Sequence, residues 1–545
     1  MQAPEEEFDA VVVGAGFAGL YMLHRLRGLG FTVRVFEAGD GIGGTWYWNR
    51  YPGARCDAES LAYSYSFSAE LEQDWEWSER YASQPEILRY IEHVADRFDL
   101  KRDVRCGTQV TTACFDEAAN GWRVETDRGD VVRARFCIMA TGCLSVPQTP
   151  DIPGLDNFGG TLYQASKWPH EKVDFSGLRV GVIGTGSSGI QAIPLIAQQA
   201  QHLTVFQRTA NYSVPAQNAP LDRDWVTTYK KDYRSHRDDY RHGRVSSFGD
   251  LQLPDEYRGV VIESPAGMSA EEIEANYERY WQQGGARFIG SFADVLISES
   301  TNELAAEFVR NKIRETVKDQ EVAKILTPAT HPIGTKRICV DTQYYETFNR
   351  PNVTLVDVTQ TPLEEVTATA VRTTQGEYEL DVLVLATGFD AMTGALLGMD
   401  IRGRGGLSLR EKWQAGPRSY LGLGIAGFPN LFTITGPGSP SVLSNVLVSI
   451  EQHVDWITDL LAHMQTAKLD RFEAAIEAED RWVDHVNQVA NATLFPKGGS
   501  WYLGANVPGK PRVFMPYAGG VGPYRDICDR VASKGYEGFS LREAS

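Results

Sequence analysis

The glycine spacing Gly-x-Gly-x-x-Gly occurs twice in this chain, and each copy lies between an apolar, strand-like run and an amphipathic, helix-like run. In such a turn the first glycine permits the tight bend, the second lets the backbone approach a phosphate, and the third lets the helix pack on the strand. The residues in these roles are Gly14, Gly16 and Gly19 in the first copy and Gly184, Gly186 and Gly189 in the second. The repeated pattern predicts an α/β fold with two dinucleotide-binding, Rossmann-like domains.

The positions of two short apolar segments predict how these domains are connected. Both segments end in Ala-Thr-Gly, at Gly142 and at Gly388, and we interpret them as the exits from the first and second nucleotide domains. The first domain would then be discontinuous, comprising residues 1–145 and 388–545, with the second domain, residues 146–221 and 331–387, inserted in it. Residues 222–330 are rich in charged and aromatic residues and have few strand signals, so we expect a mostly helical subdomain there.

The residue that ends the second strand of each unit indicates which nucleotide that unit binds. In the first unit Glu37 can accept hydrogen bonds from both hydroxyls of an adenosine ribose, and it would repel a 2′-phosphate, which suits FAD or NAD. In the second unit the strand ends in Gln207-Arg208-Thr209 without an acid. The Arg208 guanidinium and the Thr209 hydroxyl therefore predict a site for the 2′-phosphate of NADPH. The simpler alternative is that Arg208 is an ordinary surface charge.

Charge and composition exclude several classes of function. Lys and Arg number 53 and Asp and Glu number 71, which gives a net charge of −18 and a surface that repels nucleic acids and anionic membranes. The first residues lack a basic region followed by an apolar run, and the apolar stretches are of strand length, so we expect a cytoplasmic protein without a membrane partner. The seven cysteines are scattered, which argues against a metal centre and against a disulfide reductase.

Two further segments connect the nucleotide units and carry a family resemblance. GGTWYWNRYPGARCD, residues 43–57, and FGGTLYQASKWP, residues 158–169, resemble the two fingerprints of type I Baeyer-Villiger monooxygenases. The resemblance extends over nearly the whole chain and is strongest to the phenylacetone and steroid monooxygenase branch. It implies an enzyme that holds FAD, is reduced by NADPH and uses O2 to convert a ketone into an ester or lactone through a C4a-peroxyflavin.

By this resemblance Asp57 and Arg337 are the catalytic pair, and Lys336 reaches toward NADPH. The chemistry agrees with such a pair, because the peroxyflavin attacks a carbonyl only as an anion, and a permanent cation stabilises both that anion and the adduct. Asp57 would hold the guanidinium in place. From the residues alone, an Arg and an Asp so far apart in sequence are more often members of separate salt bridges.

The resemblance also implies the other residues of the site. Those expected to bind the cofactors, besides the six glycines, Glu37, Arg208, Thr209 and Lys336, are Gly44, Thr45, Trp46, Asp57, Tyr63, Thr185, Ser187, Ser188 and Trp501. Those expected to line the substrate pocket are Gln84, Cys143, Leu144, Ser441, Val442, Leu443 and Val446. For any single aromatic residue among them, a place in the hydrophobic core is the alternative.

The second fingerprint departs from the family at one position. The family has His four residues before the tryptophan, whereas this chain has Gln164 before Trp168. Gln forms hydrogen bonds but cannot carry a charge, so we expect a change in rate or coupling and not in the type of reaction. Two alternative functions stay open. One is a flavin monooxygenase that attacks sulfur or nitrogen, which Arg337 disfavours, and the other is an uncoupled NADPH oxidase or redox sensor, which Gln164 favours.

Overall fold

The computed structural model describes residues 5–244 and 262–543, and two large sheets with helices packed on them dominate this part of the chain. The strands are β1 (Glu6–Val13), β2 (Val33–Phe36), β3 (Val104–Arg105), β4 (Val110–Asp116), β5 (Gly121–Thr126), β6 (Val131–Met139), β7 (Thr161–Gln164), β8 (Arg179–Ile183), β9 (His202–Gln207), β10 (Ser213–Pro215), β11 (Cys339–Asp341), β12 (Val353–Asp357), β13 (Leu363–Val366), β14 (Ala370–Thr373), β15 (Gly376–Glu379), β16 (Val382–Leu385), β17 (Asp400–Arg402), β18 (Leu431–Thr433), β19 (Leu469–Ala474) and β20 (Phe539–Glu543). The helices are α1 (Phe17–Gly28), α2 (Thr45–Trp48), α3 (Ala69–Asp74), α4 (Gln84–Arg97), α5 (Ser187–Gln199), α6 (Arg223–Lys231), α7 (Tyr233–Arg241), α8 (Ala270–Gln283), α9 (Glu299–Thr316), α10 (Gln320–Leu326), α11 (Tyr344–Thr347), α12 (Gly394–Gly398), α13 (Leu409–Lys412), α14 (Val446–Ala467), α15 (Ile476–Asn491) and α16 (Val521–Ser533).

The first large sheet combines strands from two separated stretches of chain. Its order is β17-β4-β5-β6-β1-β2-β3, and β18 also pairs with β6. The strand β1 pairs in parallel with β2 and β6, and its fully buried residues Ala10, Val11 and Val12 place it at the centre of the core. Since β17 and β18 come from far along the sequence, the first nucleotide unit is discontinuous.

The second large sheet lies in the sequence interval between these two stretches. Its five strands run in the order β12-β9-β8-β16-β7, and every neighbouring pair is parallel. All four residues of β16 are buried, as expected for a parallel strand covered on both faces. The predicted α/β class, with the second nucleotide unit inserted in the first, is confirmed. The exact domain limits given above stay predictions.

The segment 222–330 contains helices α6 to α10 and no strand among its described residues, and residues 245–261 of this predicted subdomain lie outside the described part of the chain. Its helices divide between two cores. Tyr229 of α6 and Tyr233 of α7 pack in the cluster around β1 and α1, whereas Tyr277 of α8 and Phe308 of α9 pack with the second sheet. The helices of this segment therefore contact both nucleotide units. Within residues 5–244 and 262–543, we find no helix with the length and apolar character that crossing a membrane requires.

Candidate active site

The first glycine turn connects β1 to α1 and leaves no room for side chains. The φ of Gly14 is +104°, and a Cβ added there would lie 2.5 Å from the carbonyl oxygen of Ala140. A Cβ on Gly19 would lie 1.8 Å from the carbonyl oxygen of Gly14. Gly16 directly precedes α1, so the free amides at the start of this helix follow the turn. Amides in this arrangement suit a pyrophosphate.

Glu37 follows β2 and is held against this turn. One carboxylate oxygen accepts a hydrogen bond from the backbone amide of Ala15 at 2.7 Å, and the other accepts one from the amide of Gly39 at 2.8 Å. Burial raises the pKa of the Glu37 carboxyl, and these two hydrogen bonds oppose the rise. The acid predicted to bind a ribose thus lies beside the phosphate turn.

Glu37→Ala is expected to weaken the retention of FAD, because each hydrogen bond to a charged acceptor contributes about 1.5 to 3 kcal/mol, or roughly tenfold or more in affinity. The parent protein should be yellow and contain roughly one FAD per chain, which flavin absorbance after dialysis measures. Glu6→Ala, at an exposed glutamate of β1 that pairs with Arg34, is the matched control and should retain flavin like the parent. A colourless, folded parent protein that FAD cannot reconstitute would contradict the assignment.

Residues 43–57, the first fingerprint, pack on both nucleotide units. A Cβ added to Gly44 would lie 3.0 Å from the Cα of Gly16, so this loop lies directly on the first glycine turn. A Cβ added to Gly53 would lie 2.6 Å from the carbonyl oxygen of Gln191 in α5, and the Tyr51 hydroxyl donates to the side chain of Gln191 at 2.8 Å. The segment that ends in Asp57 is therefore fixed between the two units.

Within this segment, α2 presents Trp46 to the interior while Thr45 is exposed. The Trp46 indole donates to the Tyr63 hydroxyl at 3.1 Å, and the Trp46 carbonyl accepts a hydrogen bond from the amide of Gln84. Burial raises the pKa of Tyr63 well above its usual value, so Tyr63 stays neutral. Gln84, the first residue of α4, was predicted to line the substrate pocket. Its side chain instead donates a hydrogen bond that holds the backbone of Trp46 in α2.

The second glycine turn repeats the geometry of the first. The φ of Gly184 is +112°, and a Cβ there would lie 2.4 Å from the carbonyl oxygen of Ala386. A Cβ on Gly189 would lie 2.2 Å from the carbonyl oxygen of Gly184. Gly186 precedes α5, which begins with Ser187 and Ser188. The Thr185 hydroxyl donates to the carbonyl oxygen of Thr209 at 3.2 Å, which connects this turn to the end of β9.

Two cations lie together beyond the end of β9. Arg208 is exposed and Lys336 is half-buried. Burial and, next, the positive charge of Arg208 lower the pKa of Lys336. Neither forms an ion pair with any residue in the described part of the chain. Two uncompensated neighbouring cations fit an anionic group such as a 2′-phosphate.

Asp57 and Arg337 form a bidentate ion pair. The Nε of Arg337 donates to one Asp57 oxygen at 2.6 Å and Nη2 donates to the other at 2.9 Å, while Nη1 donates to the carbonyl oxygen of Val442 at 2.9 Å. Burial alone would raise the pKa of the Asp57 carboxyl, but the charge and hydrogen bonds of Arg337 outweigh it and hold this pKa below its ordinary value. The carboxylate is thus ionised, and the guanidinium plane is fixed on two sides.

Two residues contact Arg337 that the sequence did not predict as its partners, Val442 and Tyr502. Val442 was predicted to line the substrate pocket, but it also accepts from Arg337 through its backbone carbonyl. Tyr502 is buried and its hydroxyl contacts Arg337, while burial raises the pKa of Tyr502 to about 12. Its position next to Trp501 in the predicted site was the only available hint.

Four of the predicted pocket and cofactor residues come together in one apolar cluster beside this pair. Cys143, Leu144, Val442 and Trp501 pack against a buried group made of Ala391, Met392 and Met515. Ser441 joins them, because its hydroxyl lies 2.9 Å from the thiol sulfur of Cys143. Sequence reasoning missed the two methionines, since a buried thioether has no spacing signature.

The other three predicted pocket residues, Gln84, Leu443 and Val446, lie outside this cluster, and Gln84 contacts Trp46 instead. Leu443 faces a neighbouring apolar group that contains Phe495, Tyr502 and Phe514. Val446 begins α14 and packs against the core around α1. The structure therefore gathers Cys143, Leu144, Ser441 and Val442 at one place, but not Gln84, Leu443 or Val446.

Gln164 ends β7 and lies next to the second glycine turn. It adjoins a cavity of about 10 Å³ whose lining includes Ser188 and Thr387. Its side-chain nitrogen is buried and has no hydrogen-bond partner among the residues that the structure describes. A buried donor without a partner is costly, so the described residues around Gln164 leave its amide nitrogen unsatisfied.

We expect Gln164→His to raise ketone-dependent NADPH turnover or to lower hydrogen peroxide release by up to about tenfold, without changing the product. The reason is that charge-assisted hydrogen bonds are roughly twice as strong as neutral ones. Steady-state rates and peroxide yields with one ketone measure the effect. Gln164→Ala is the matched control, because it removes the amide without adding a charge. Unchanged values in Gln164→His would show that this position is compensated, and a new product would show that it belongs to the reaction centre.

The whole chain is similar in sequence to known monooxygenases. A family model described as pyridine nucleotide-disulphide oxidoreductase matches residues 11–231, although all seven cysteines of this chain are free. A Baeyer-Villiger monooxygenase from Pseudooceanicola batsensis is 42% identical over 534 residues, which cover 97% of this chain and 95% of that protein. A phenazine N-monooxygenase from Lysobacter antibioticus is 42% identical over 538 residues, which cover 98% of this chain and 97% of that protein.

The chain is also similar in fold and sequence to solved structures of monooxygenases. The structure of an oxidised steroid monooxygenase bound to NADP is similar with a TM-score of 0.93 and 53% identity, covering 99% of this chain and 100% of that chain. A crystal structure of OTEMO in complex with FAD and NADP has a TM-score of 0.93 and 39% identity, covering 98% of this chain and 100% of that chain. Similarity of this extent, together with an Asp57–Arg337 pair beside two glycine turns, shows that the chain belongs to the Baeyer-Villiger monooxygenases.

Proposed function

We propose that this chain uses the Asp57–Arg337 pair to oxidise ketones with O2, holding FAD at the first glycine turn and NADPH at the second. The activity is that of an NADPH-dependent flavoprotein Baeyer-Villiger monooxygenase, which converts ketones to esters or lactones. The observation that carries the proposed roles is the bidentate contact of Arg337 with Asp57, on a segment that touches both nucleotide units.

The described residues fit both cofactors. At the first turn, the close backbone approach at Gly14 and the adjoining Glu37 carboxylate suit a pyrophosphate and an unphosphorylated ribose. At the second turn, Arg208 and Lys336 supply two neighbouring positive charges with no described ion-pair partner, which suits the 2′-phosphate of NADPH. Trp46 and Tyr63 would complete the first site, and Thr185, Ser187 and Ser188 the second.

Bound FAD, once reduced by NADPH, supplies the activation of dioxygen that no side chain of this protein can perform. Arg337 contributes a charge that deprotonation cannot remove, and it stabilises negative charge that develops on the carbonyl oxygen of the ketone. Asp57 and the carbonyl oxygen of Val442 orient the guanidinium before the reaction, so little reorganisation is needed when that charge appears.

The apolar cluster beside Arg337 suits the part of the substrate that does not react. Leu144, Val442 and Trp501, with the thioethers of Met392 and Met515, offer an apolar surface. The flexible methionine side chains can adapt to different shapes. We therefore expect ketones with an apolar body to bind better than charged ones.

A heteroatom substrate is a second candidate, because the similar protein from Lysobacter antibioticus is a phenazine N-monooxygenase with the same identity as the Baeyer-Villiger relative. Attack on nitrogen or sulfur does not place negative charge on a carbonyl oxygen. The position of Arg337 therefore favours the ketone reaction as the main activity.

One experiment separates these activities. NADPH consumption and hydrogen peroxide release are measured with no addition, with a panel of ketones, and with an aromatic amine and a thioether, and each product is identified. Ester or lactone formation that matches NADPH consumption supports the proposal. Oxides of the amine or thioether as the main products would favour the second candidate, and peroxide alone would identify an oxidase.

A further inference from the structure

Glu59 lies two residues after Asp57, is 5% exposed, and serves as the partner of two arginines. Arg80 donates to it through Nε at 2.8 Å and through Nη2 at 2.6 Å. Arg287, also 5% exposed, contacts the same carboxylate oxygen of Glu59. Glu59 is therefore held from two directions, and only Ala58 separates it from Asp57.

The two arginines connect Glu59 to the helical segment 222–330. Arg287 lies in the short turn that follows α8, and α8 belongs to the core of the second sheet. Arg80 also donates through Nη1 to the carbonyl oxygen of Gln283, the last residue of α8, at 2.6 Å. Both contacts therefore tie the end of α8 to the chain that carries Asp57.

A third arginine, Arg237 in α7 of the helical segment, holds this chain on both sides of Tyr63. Arg237 of α7 is 4% exposed and donates to the carbonyl oxygen of Ala62 at 3.1 Å and to the Ser64 hydroxyl at 2.6 Å. Its Nε pairs with Glu72 at 2.8 Å. Residues 57–64 thus have fixed points at both ends, and Tyr63, the partner of Trp46, lies between them.

We infer that Arg287 is a positioning residue for the reaction: through Glu59 it sets where Asp57 stands, and Asp57 in turn orients Arg337. Charged hydrogen bonds in a buried setting have strict geometry, so a displacement of Glu59 moves the backbone at Asp57 with it. The helical segment then acts on oxygen transfer without touching the substrate. This inference rests on the proposed role of the Asp57–Arg337 pair.

The test is a double-mutant cycle in the full-length, FAD-loaded protein with a good ketone. Arg287→Met should lower the yield of ester per NADPH by about tenfold, because small misplacements of a catalytic group have effects of this size or larger. The rate of flavin reduction by NADPH should stay within about twofold. In an Asp57→Asn background, the same Arg287→Met change should alter the yield by less than about twofold, since the group through which it acts is already lost.

Lys312→Met is the matched control. Lys312 of α9 pairs with Glu278 of α8 at 2.8 Å, so this change breaks an ion pair inside the helical segment without touching residues 57–64. It should leave the yield unchanged. If Arg287→Met does not fold, Arg287→Lys replaces it, and its point-like charge should still lower the yield by at least about threefold.

The outcomes separate the inference from the proposed function. If Asp57→Asn lowers the yield but the folded Arg287 variant has the parental yield, the inference about Arg287 is wrong and the role of the pair stands. Equal effects of Arg287→Met with and without Asp57 would also overturn it, because Arg287 would then act by another route. If Asp57→Asn itself leaves ester formation unchanged, the proposed role of the pair fails.

Discussion

Arg337→Ala is expected to reduce ester formation by at least about 10² to 10³-fold while FAD stays bound and NADPH still reduces it. The loss of one preorganised donor to a developing oxyanion has this magnitude, about 2.7 to 4 kcal/mol. The bidentate contact with Asp57 and the contact with the carbonyl oxygen of Val442 show that the guanidinium is held in one orientation. Product analysis measures ester formation, flavin absorbance measures bound FAD, and single-turnover kinetics measure the reduction of FAD by NADPH.

Two variants make this result specific. Arg97→Ala is the matched control, because Arg97 is also 30% exposed and also pairs with an aspartate, Asp74, at 2.7 Å, but lies at the last residue of α4 and forms no contact with Asp57. Arg337→Lys keeps the charge but not the planar two-point contact, so we expect an intermediate rate. A comparable rate of ketone conversion in Arg337→Ala would show that the assigned role is wrong.

Arg208→Ala is expected to narrow the preference for NADPH over NADH by about tenfold or more, chiefly through weaker binding of NADPH. A charge-assisted contact with a phosphate contributes about 1.5 to 3 kcal/mol to binding. NADPH loses this contact in the variant, whereas NADH, which has no 2′-phosphate, never forms it. The ratio of kcat/KM for the two coenzymes measures the preference. Lys336→Ala should have an effect in the same direction, because the charges of Lys336 and Arg208 act on each other and both would attract the 2′-phosphate.

Arg350→Ala provides the control for this prediction. Arg350 is an exposed arginine of the same nucleotide unit, next to β12, and lies outside the predicted phosphate site. Its removal changes the net charge by the same amount but should leave the coenzyme preference as in the parent. Equal use of NADPH and NADH by the parent protein would contradict the assignment of Arg208.

The parts of the site that depend on local structure could be predicted from the sequence. Gly14 and Gly184 adopt positive φ values beside a carbonyl oxygen, so only glycine fits, and the requirement is visible as a spacing. Glu37 and Arg208 follow the second strand of their units, so their place relative to the turn is also local. Asp57 and Arg337 form a contact that only the family resemblance indicated, since nothing in their separate surroundings pairs them.

Tertiary structure alone decided the contacts between distant parts of the chain. The carbonyl oxygen of Val442 and the hydroxyl of Tyr502 reach Arg337 only after the chain has folded, and neither contact leaves a periodic pattern. The pairing of Glu59 with Arg287 and the division of the helical segment between two cores are of the same kind. The sequence determined both glycine turns, because glycine geometry acts locally, and the charge at the end of each second strand predicts which nucleotide each turn prefers. The orientation of the Arg337 guanidinium depends on packing against residues more than a hundred positions away in the sequence, and only the folded structure shows it.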